Sequence, residues 1–194
     1  MLLDKIYFFV KRRYHKLKDK CYTEKLKKYL IANGVYVDFD TLHIPSTVQI
    51  YAGSNLHIGG GVNLGDYCTI DANDSYGIYI GNYLLAARDV FIRAGNHDYS
   101  YSELPFQERG HCAKRIEYNG QVYSIVIEDN VWIGRGAAIL SGAHIGKGSV
   151  IGAGAVVKGN IPEYSIVIGN PAKVVSNRKK YPTFEHREDI GLFD

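Results

Sequence analysis

A six-residue repeat dominates the sequence from residue 44 onward. An apolar or small residue returns at every sixth position through two blocks of chain, except at Asp74. The repeat positions are Ile44, Ile50, Leu56, Val62, Cys68, Asp74, Ile80, Ala86 and Ile92 in the first block, and Ile127, Ile133, Ile139, Ile145, Ile151 and Val157 in the second. Such regularity over so many positions restricts the secondary structure that the chain can form.

A period of six fits neither a helix nor a simple amphipathic strand. An α-helix has 3.6 residues per turn, so this period would spread the apolar residues around its whole circumference. An amphipathic strand would repeat at every second residue. A six-residue period is typical of a solenoid in which each short strand points a large residue inward and small residues occupy the turns. The sequence therefore predicts an all-β solenoid with a continuous aliphatic core.

The repeat stops at the stretch AGNHDYS, residues 94–100, and resumes near residue 127. We interpret residues 97–126 as a loop excursion from the solenoid. His97 lies where the chain leaves the repeat. The ordinary pKa of histidine is about 6.5, so its neutral imidazole can accept a proton near neutral pH. From these residues alone, His97 is either a catalytic base or a loop histidine that caps a turn.

The N-terminal segment, residues 1–40, has a different character. Residues 1–28 carry ten Lys or Arg against three acids, whereas the rest of the chain carries thirteen against seventeen. The spacing of three and four between apolar residues predicts a helix over residues 3–30 with one apolar stripe: Leu3, Tyr7, Val10, Tyr14, Leu17 and Cys21. This helix packs on its own domain or on a neighbouring subunit, or it rests on an anionic membrane surface. The local charge argues against a general nucleic-acid-binding surface.

Cysteine and histidine spacing gives no sign of a metal site or a disulfide framework. Cys21, Cys68 and Cys112 are widely separated and form no CxxC pair, which favours a reducing cytoplasm. The histidines offer no closely spaced pair of the kind a zinc enzyme on a solenoid would need. The apolar run near the N-terminus is too short to span a bilayer, so we expect no signal peptide and no transmembrane helix.

Two motifs resemble a known family. The stretch NVWIGRGAAILSGAHIGKGSVIGAGAVV followed by GNPAKVV, and the stretch ANDSYGIYIGNYLLAARDVFIRAGNHDYS, are similar to the hexapeptide-repeat acyltransferases of the maltose, galactoside and colanic-acid O-acetyltransferase group. The resemblance implies a left-handed parallel β-helix of about five coils, with three strands per coil. It divides the chain into the basic helical segment 1–40, a β-helix domain 41–178 and a C-terminal tail 179–194.

The resemblance also implies an activity and a set of site residues. His97 matches the general base that takes the proton of a sugar hydroxyl as that hydroxyl attacks acetyl-CoA. The acid that orients His97 stays open among Asp98, Glu103, Glu108 and Glu117. The positions that match contacts to the acetyl-CoA co-substrate are Trp132, Gly134, Arg135, Ala153, Lys158 and Lys173.

For the acceptor, Asp71 corresponds to a sugar-binding aspartate of the galactoside and maltose enzymes. Asp71 and Asp74 interrupt the apolar column, which indicates either acceptor recognition or a local irregularity. The resemblance further implies a homotrimer with active sites between subunits, a sugar, glycan or nucleotide-sugar acceptor, and a role in surface polysaccharide or O-antigen biosynthesis. The alternatives are an N-acetyltransferase acting on an amino sugar, a zinc enzyme on the same fold, and a non-catalytic solenoid used as an assembly surface.

Overall fold

A long helix precedes twenty-one short strands in the computed structural model, which describes residues 2–37, 41–53, 55–100 and 103–180. Helix α1 spans Leu2–Ala32. In chain order the strands are β1 (Tyr36–Val37), β2 (Gln49–Tyr51), β3 (Leu56–Ile58), β4 (Asn63–Leu64), β5 (Thr69–Asp71), β6 (Ile78–Ile80), β7 (Leu85–Ala86), β8 (Phe91–Arg93), β9 (Asn96–His97), β10 (His111–Cys112), β11 (Ile116–Tyr118), β12 (Gln121–Tyr123), β13 (Ile125–Ile127), β14 (Trp132–Ile133), β15 (Ala138–Leu140), β16 (His144–Ile145), β17 (Val150–Ile151), β18 (Val156–Val157), β19 (Asn160–Ile161), β20 (Ser165–Ile168) and β21 (Lys173–Asn177).

Three sheets enclose the core as the faces of a triangular prism. Face 1 has the order β1-β3-β6-β13-β16-β19, face 2 has β4-β7-β14-β17-β20-β21, and face 3 has β2-β5-β8-β15-β18. The chain visits the faces in the order 1, 2, 3 and then begins the next coil. All pairings within the faces are parallel except that of β20 with β21, which is antiparallel and ends the solenoid.

Each face contributes one continuous column of inward side chains. On face 1 the column runs through Ile58, Ile80, Ile127, Ile145 and Ile161, which are in register with one another. The corresponding columns are Leu64, Ala86, Ile133, Ile151 and Val167 on face 2, and Ile50, Ile70, Ile92, Ile139 and Val157 on face 3. These residues are buried. The columns form the aliphatic core that the repeat predicted.

The predicted register is wrong by two residues between residues 56 and 74. In the structure the column residues there are Ile58, Leu64 and Ile70, not Leu56, Val62 and Cys68. Consequently Asp71 and Asp74 do not interrupt the column. Asp71 follows Ile70 at the end of β5, and Asp74 lies in the turn beyond it. Leu56, Val62 and Cys68 are buried as a second inward set, which explains why the repeat fitted either register.

All the long departures from the repeat occur at one corner, where the chain passes from face 3 to face 1. The column spacing at this corner is eight residues from Ile50 to Ile58, ten from Ile70 to Ile80, and thirty-five from Ile92 to Ile127. We call it the insertion corner. The insertions touch one another, because a Cβ on Gly53 would lie 2.4 Å from the Ala72 carbonyl oxygen and one on Gly95 would lie 2.4 Å from that of Asn73.

Part of the largest insertion folds back over face 1. Strands β11 and β12 form an antiparallel hairpin, and Tyr118 and Tyr123 of this hairpin contact Tyr79 with ring centroids 4.9 Å and 5.5 Å away. Tyr79 also stacks on His57, with centroids 4.5 Å apart and planes within 4°. Burial lowers the pKa of His57 and raises the pKa values of the three tyrosines. We call these four residues the aromatic ladder.

Helix α1 joins the solenoid through its C-terminal end. Leu26 and Leu30 are buried in the core cluster at the first coil, whereas Val10 and Leu17 of the predicted apolar stripe are exposed in this chain. Among the described helices, none combines the length and hydrophobicity needed to cross a bilayer. Strand β1 lies upstream of the predicted boundary at residue 41. Residues 181–194 of the predicted tail lie outside the described residues.

Candidate active site

A two-stranded ribbon at the insertion corner holds His97. Strand β9 pairs antiparallel with β10, so that His97 lies directly opposite His111 and Asn96 lies opposite Cys112. The His97 backbone amide donates a hydrogen bond to Asn96 Oδ1, 2.9 Å away. The His97 side chain is exposed. The ribbon therefore presents His97 at the point where the sequence analysis placed it, just beyond the last residue of the coil.

An ion pair anchors the start of the ribbon. Arg93 Nη1 donates to Asp71 Oδ2 at 2.8 Å, and Arg93 Nε donates to the carbonyl oxygen of Gly95 at 3.0 Å. The Asn73 amide donates to the other carboxylate oxygen of Asp71 at 3.0 Å. Asp71 is only 8% exposed. Both of its oxygens thus have partners within the chain, and its predicted role in acceptor binding stays a prediction.

In the described part of the chain, none of the four candidate acids forms a hydrogen bond or an ion pair with the His97 ring. Asp98 accepts hydrogen bonds from the Ser100 hydroxyl and amide, and these bonds lower the pKa of Asp98. Instead, the ring nearest to that of His97 is His111, with centroids 4.9 Å apart and planes tilted by 33°. His111 Nε2 lies 3.4 Å from Asp74 Oδ2 in the preceding insertion.

A cavity of about 220 Å³ lies on the other face of the ribbon. Asn96 and Cys112 line it, as expected when side chains alternate along a strand and His97 and His111 point to the opposite side. The remaining wall includes Arg93, Lys114, Leu140 and Lys158. The structure therefore places Lys158 at the insertion corner, at the far end of face 3 from Ala153.

Four other predicted residues meet at the corner between faces 2 and 3. A Cβ on Gly134 would lie 2.6 Å from the Ala153 amide nitrogen, so glycine allows the two coils to approach here. Arg135 Nε donates to Asp89 Oδ2 at 2.9 Å, and the Arg135 carbonyl accepts from the Gly154 amide. Lys173 pairs with Ile168 at the same end of face 2.

Trp132 lies on face 2, two residues before Gly134. It projects from β14 on face 2, between Leu85 and Val150 in the ladder, and it is 50% exposed. A groove of about 300 Å³ beside it is lined by Tyr83, Asn130 and Arg178 as well. In a triangular prism, face 2 lies opposite the insertion corner, so one chain does not bring Trp132 to His97.

Sequence reasoning missed two residues of this corner, Arg93 and His111. It named Asp74 as part of acceptor recognition or a local irregularity, but not as a contact of His111. The Asp71–Arg93 pair left a readable signal, since each residue directly follows a column isoleucine on adjacent coils of face 3. The His111–Asp74 contact left no signal in the sequence, because it joins two loops whose lengths follow no repeat. No group of three His, Cys, Asp or Glu side chains in the described ranges could hold a metal ion.

Comparison with known proteins gives three informative matches. The family model for the bacterial transferase hexapeptide (six repeats) matches residues 124–159. The galactoside O-acetyltransferase of Lactococcus lactis subsp. lactis (strain IL1403) is 34% identical over 144 residues, covering 73% of this chain and 63% of the relative. A solved galactoside acetyltransferase in complex with coenzyme A is 31% identical with a TM-score of 0.54, covering 74% of this chain and 66% of that one. This confirms the predicted resemblance to the hexapeptide-repeat acyltransferases.

The repeat and its structural neighbours imply a left-handed β-helix, as expected. The N-acyltransferase AntD from Bacillus cereus, in complex with dTDP and 3-hydroxybutyryl-CoA, shares this fold at 20% identity. Its TM-score is 0.55, and the match covers 81% of this chain and 88% of AntD. The chain spans less than two thirds of the length of the curated relatives it matches.

Proposed function

We propose that the protein is an acetyl-CoA-dependent acetyltransferase that moves an acetyl group to a sugar hydroxyl. The observation that carries this proposal is the position of His97 on the ribbon at the insertion corner. Its ring is exposed and, within the described residues, has no hydrogen-bond partner. An imidazole held in this way on a hexapeptide-repeat fold is free to accept a proton from a bound substrate.

The proposed reaction is a direct attack in which His97 acts as general base. A ring nitrogen of His97 takes the hydroxyl proton while the sugar oxygen forms a bond to the thioester carbonyl carbon. The carbon–sulfur bond then breaks, the acetyl ester forms, and the coenzyme A sulfur leaves and takes up a proton. General-base catalysis of this kind is typically worth about 10²–10⁴ in rate. Positioning of acetyl-CoA and the acceptor contributes a further large part of the rate enhancement.

The corner between faces 2 and 3 is suited to the extended pantetheine arm of acetyl-CoA. A Cβ on Gly136 or Gly154 would meet nothing within 4 Å, so the backbone along this corner is open to a ligand. Ala153 is exposed beside them. We assign the donor contacts to Gly134, Arg135 and Ala153, with Lys173 near the phosphates and Trp132 beside the acyl arm. Lys158 lies at the insertion corner, so we assign it to the phosphates of acetyl-CoA bound on a neighbouring protomer.

The separation of these residues within one chain supports an active site between subunits. His97 lies at the insertion corner, whereas Trp132 lies on the opposite face. A second copy of the chain can bring its face 2 to the first copy's His97. We therefore propose a homotrimer, in which each site combines His97 of one protomer with Trp132 of its neighbour.

The cellular setting of the proposed enzyme is the assembly of a surface polysaccharide or O-antigen in the cytoplasm. The sugar, glycan or nucleotide-sugar acceptor is then acetylated before export. The basic helix α1, with its exposed Val10 and Leu17, provides either a subunit contact or a contact with the anionic inner face of the membrane. This part of the proposal rests on charge and on exposed apolar side chains.

The experiment that tests the function is a panel assay of coenzyme A thiol release. The protein is incubated with acetyl-CoA and a series of sugars, amino sugars and nucleotide sugars, and the product linkage is tested for alkali lability. We expect release that depends on a hydroxyl acceptor and a product that alkali cleaves. An alkali-stable amide would show N-acetylation of an amino sugar instead. If no acceptor stimulates release and calorimetry detects no acetyl-CoA binding, the enzyme proposal fails.

A further inference from the structure

Two separate insertions supply the surroundings of His97. The largest insertion carries both His97 and His111, while the preceding insertion carries Asp74. The two loops are in tight contact, since a Cβ on Gly95 would lie 2.4 Å from the Asn73 carbonyl oxygen and 2.7 Å from that of Asp74. This contact fixes the position of the β9–β10 ribbon relative to Asp74.

The contact between the insertions also brings the His111 imidazole next to the His97 imidazole. The β9–β10 register places His111 directly opposite His97, and the two rings approach to 4.9 Å between centroids. His111 Nε2 points to Asp74 Oδ2 across 3.4 Å, which is within ion-pair distance. Asp74 has a positive φ of 53°, the left-handed turn conformation that the ordinary solenoid turns at Tyr67 and Tyr83 also adopt.

We propose that His111 is a positioning residue for His97, and that Asp74 holds His111 in place. The His111 ring forms a surface against which the exposed His97 imidazole packs, so that His97 keeps one orientation toward the acceptor. An exposed side chain without such a contact samples several rotamers, and a misplacement of about 1 Å can cost on the order of 10²-fold in rate. Asp74, acting through His111, thereby orients His97, the role for which the candidates were Asp98, Glu103, Glu108 and Glu117.

This inference rests on the proposed function, because positioning matters only if His97 acts as a base. It differs from an acid that hydrogen-bonds the base directly: the carboxylate contacts a second ring, and the second ring contacts the base. The two contacts can be removed separately. His111→Phe keeps a flat ring beside His97 and removes the nitrogen facing Asp74, whereas His111→Ala removes both.

The kinetic test compares His111→Ala, His111→Phe and Asp74→Asn with wild type, with Glu117→Gln as control for an exposed carboxylate in the same insertion. For His111→Ala we expect kcat to fall about 10–100-fold with KM for acetyl-CoA unchanged. His111→Phe, which keeps the ring but lacks the Asp74 contact, should recover most of that loss, and Asp74→Asn, which keeps the His111 ring, should likewise lie well above His111→Ala. An unchanged kcat in His111→Ala, or no recovery in His111→Phe, would overturn the proposal.

A second measurement keeps this test distinct from that of the proposed function. If wild type shows no acceptor-dependent release, the function fails, and the ring contact is then judged by NMR on protein with labelled histidine. We expect a nuclear Overhauser contact between the His97 and His111 rings that weakens in Asp74→Asn but persists in Glu117→Gln. Absence of that contact in wild type would overturn the positioning role independently of any activity.

Discussion

At the scale of single residues, Gly95 sets the distance between the two insertions that surround His97. Any larger residue would place a Cβ against the backbone oxygens of Asn73 and Asp74, which cannot move as the tip of a side chain could. Gly95 also accepts the hydrogen bond from Arg93 Nε. Its small size and its carbonyl therefore both define where the ribbon starts.

We predict that Gly95→Ala destabilises the protein and reduces transferase activity more than its stability loss explains. Forcing an extra methyl into a filled site typically costs about 1–3 kcal/mol. The two insertions must separate, and His111 then moves away from Asp74. Gly110→Ala is the matched control, because a Cβ at Gly110 would meet nothing within 4 Å. Thermal unfolding and kcat should change in Gly95→Ala alone; equal behaviour of the two variants would contradict this account.

At this scale, the sequence singled out His97, whose role as a base stays a prediction, but it did not identify the neighbours of His97. His97 was found because it marks the end of a repeat, which is a property of the chain itself. The Asp71–Arg93 pair follows from equal positions on adjacent coils and could have been read from the corrected register. His111 could not, because its distance from His97 depends on how a loop closes, and loop closure leaves no periodic pattern.

At the scale of secondary-structure elements, the aromatic ladder ties the β11–β12 hairpin to face 1. His57 lies at its base and stacks on Tyr79, and the tyrosines of the hairpin cover Tyr79. Because burial lowers the pKa of His57, protonation of this side chain favours the unfolded chain. The hairpin is therefore held by contacts that weaken on acidification.

We predict that stability falls as the pH is lowered from about 7 to about 5, and that His57→Phe reduces this slope. The sign follows from linkage: the unfolded state binds the proton at the ordinary histidine pKa of about 6.5, whereas the folded state resists it. Phenylalanine keeps the stack on Tyr79 without a titrating group. Thermal midpoints of both proteins across this range provide the measurement, and identical slopes would contradict the role of His57.

The elements also show why periodicity predicted the faces but misplaced part of the register. Each six-residue unit buries two residues that stand two apart, as Leu56 and Ile58 do on β3 and Val62 and Leu64 do at β4. An apolar residue therefore stands at two places in every six, and the repeat can be aligned to either one. The extra residues after Ile50 shift the chain from one alignment to the other without interrupting the apolar pattern. Only the observed pairing of the strands distinguishes the two.

At the scale of the whole molecule, the predicted site residues fall on opposite sides of one prism. The predicted donor residues at the corner between faces 2 and 3, and Trp132 on face 2, lie opposite His97 at the insertion corner, so a single chain does not bring all of them into one pocket. Sequence reasoning could list these residues but could not place them on the faces of the prism. Their meeting between copies of the chain is part of the proposal.

We predict that two inactive variants restore activity when they are assembled together. His97→Ala supplies an intact Trp132, and Trp132→Ala supplies an intact His97. If each site takes one residue from each of two neighbouring protomers, random mixing in equal amounts should restore about one quarter of the wild-type sites. The variants are co-expressed and their thiol release is compared with that of each alone. Activity no greater than the sum of the separate variants would contradict a shared site.

One rate measurement decides whether His97 is the general base of an acetyl transfer. Acceptor-dependent release of the coenzyme A thiol is measured for wild type, His97→Ala and the control His43→Ala, an exposed histidine outside the insertion corner. We expect the rate to fall by a factor of about 10²–10⁴ in His97→Ala with unchanged thermal stability, and to stay normal in His43→Ala. A His97→Ala protein that retains a rate within a few-fold of wild type would contradict it.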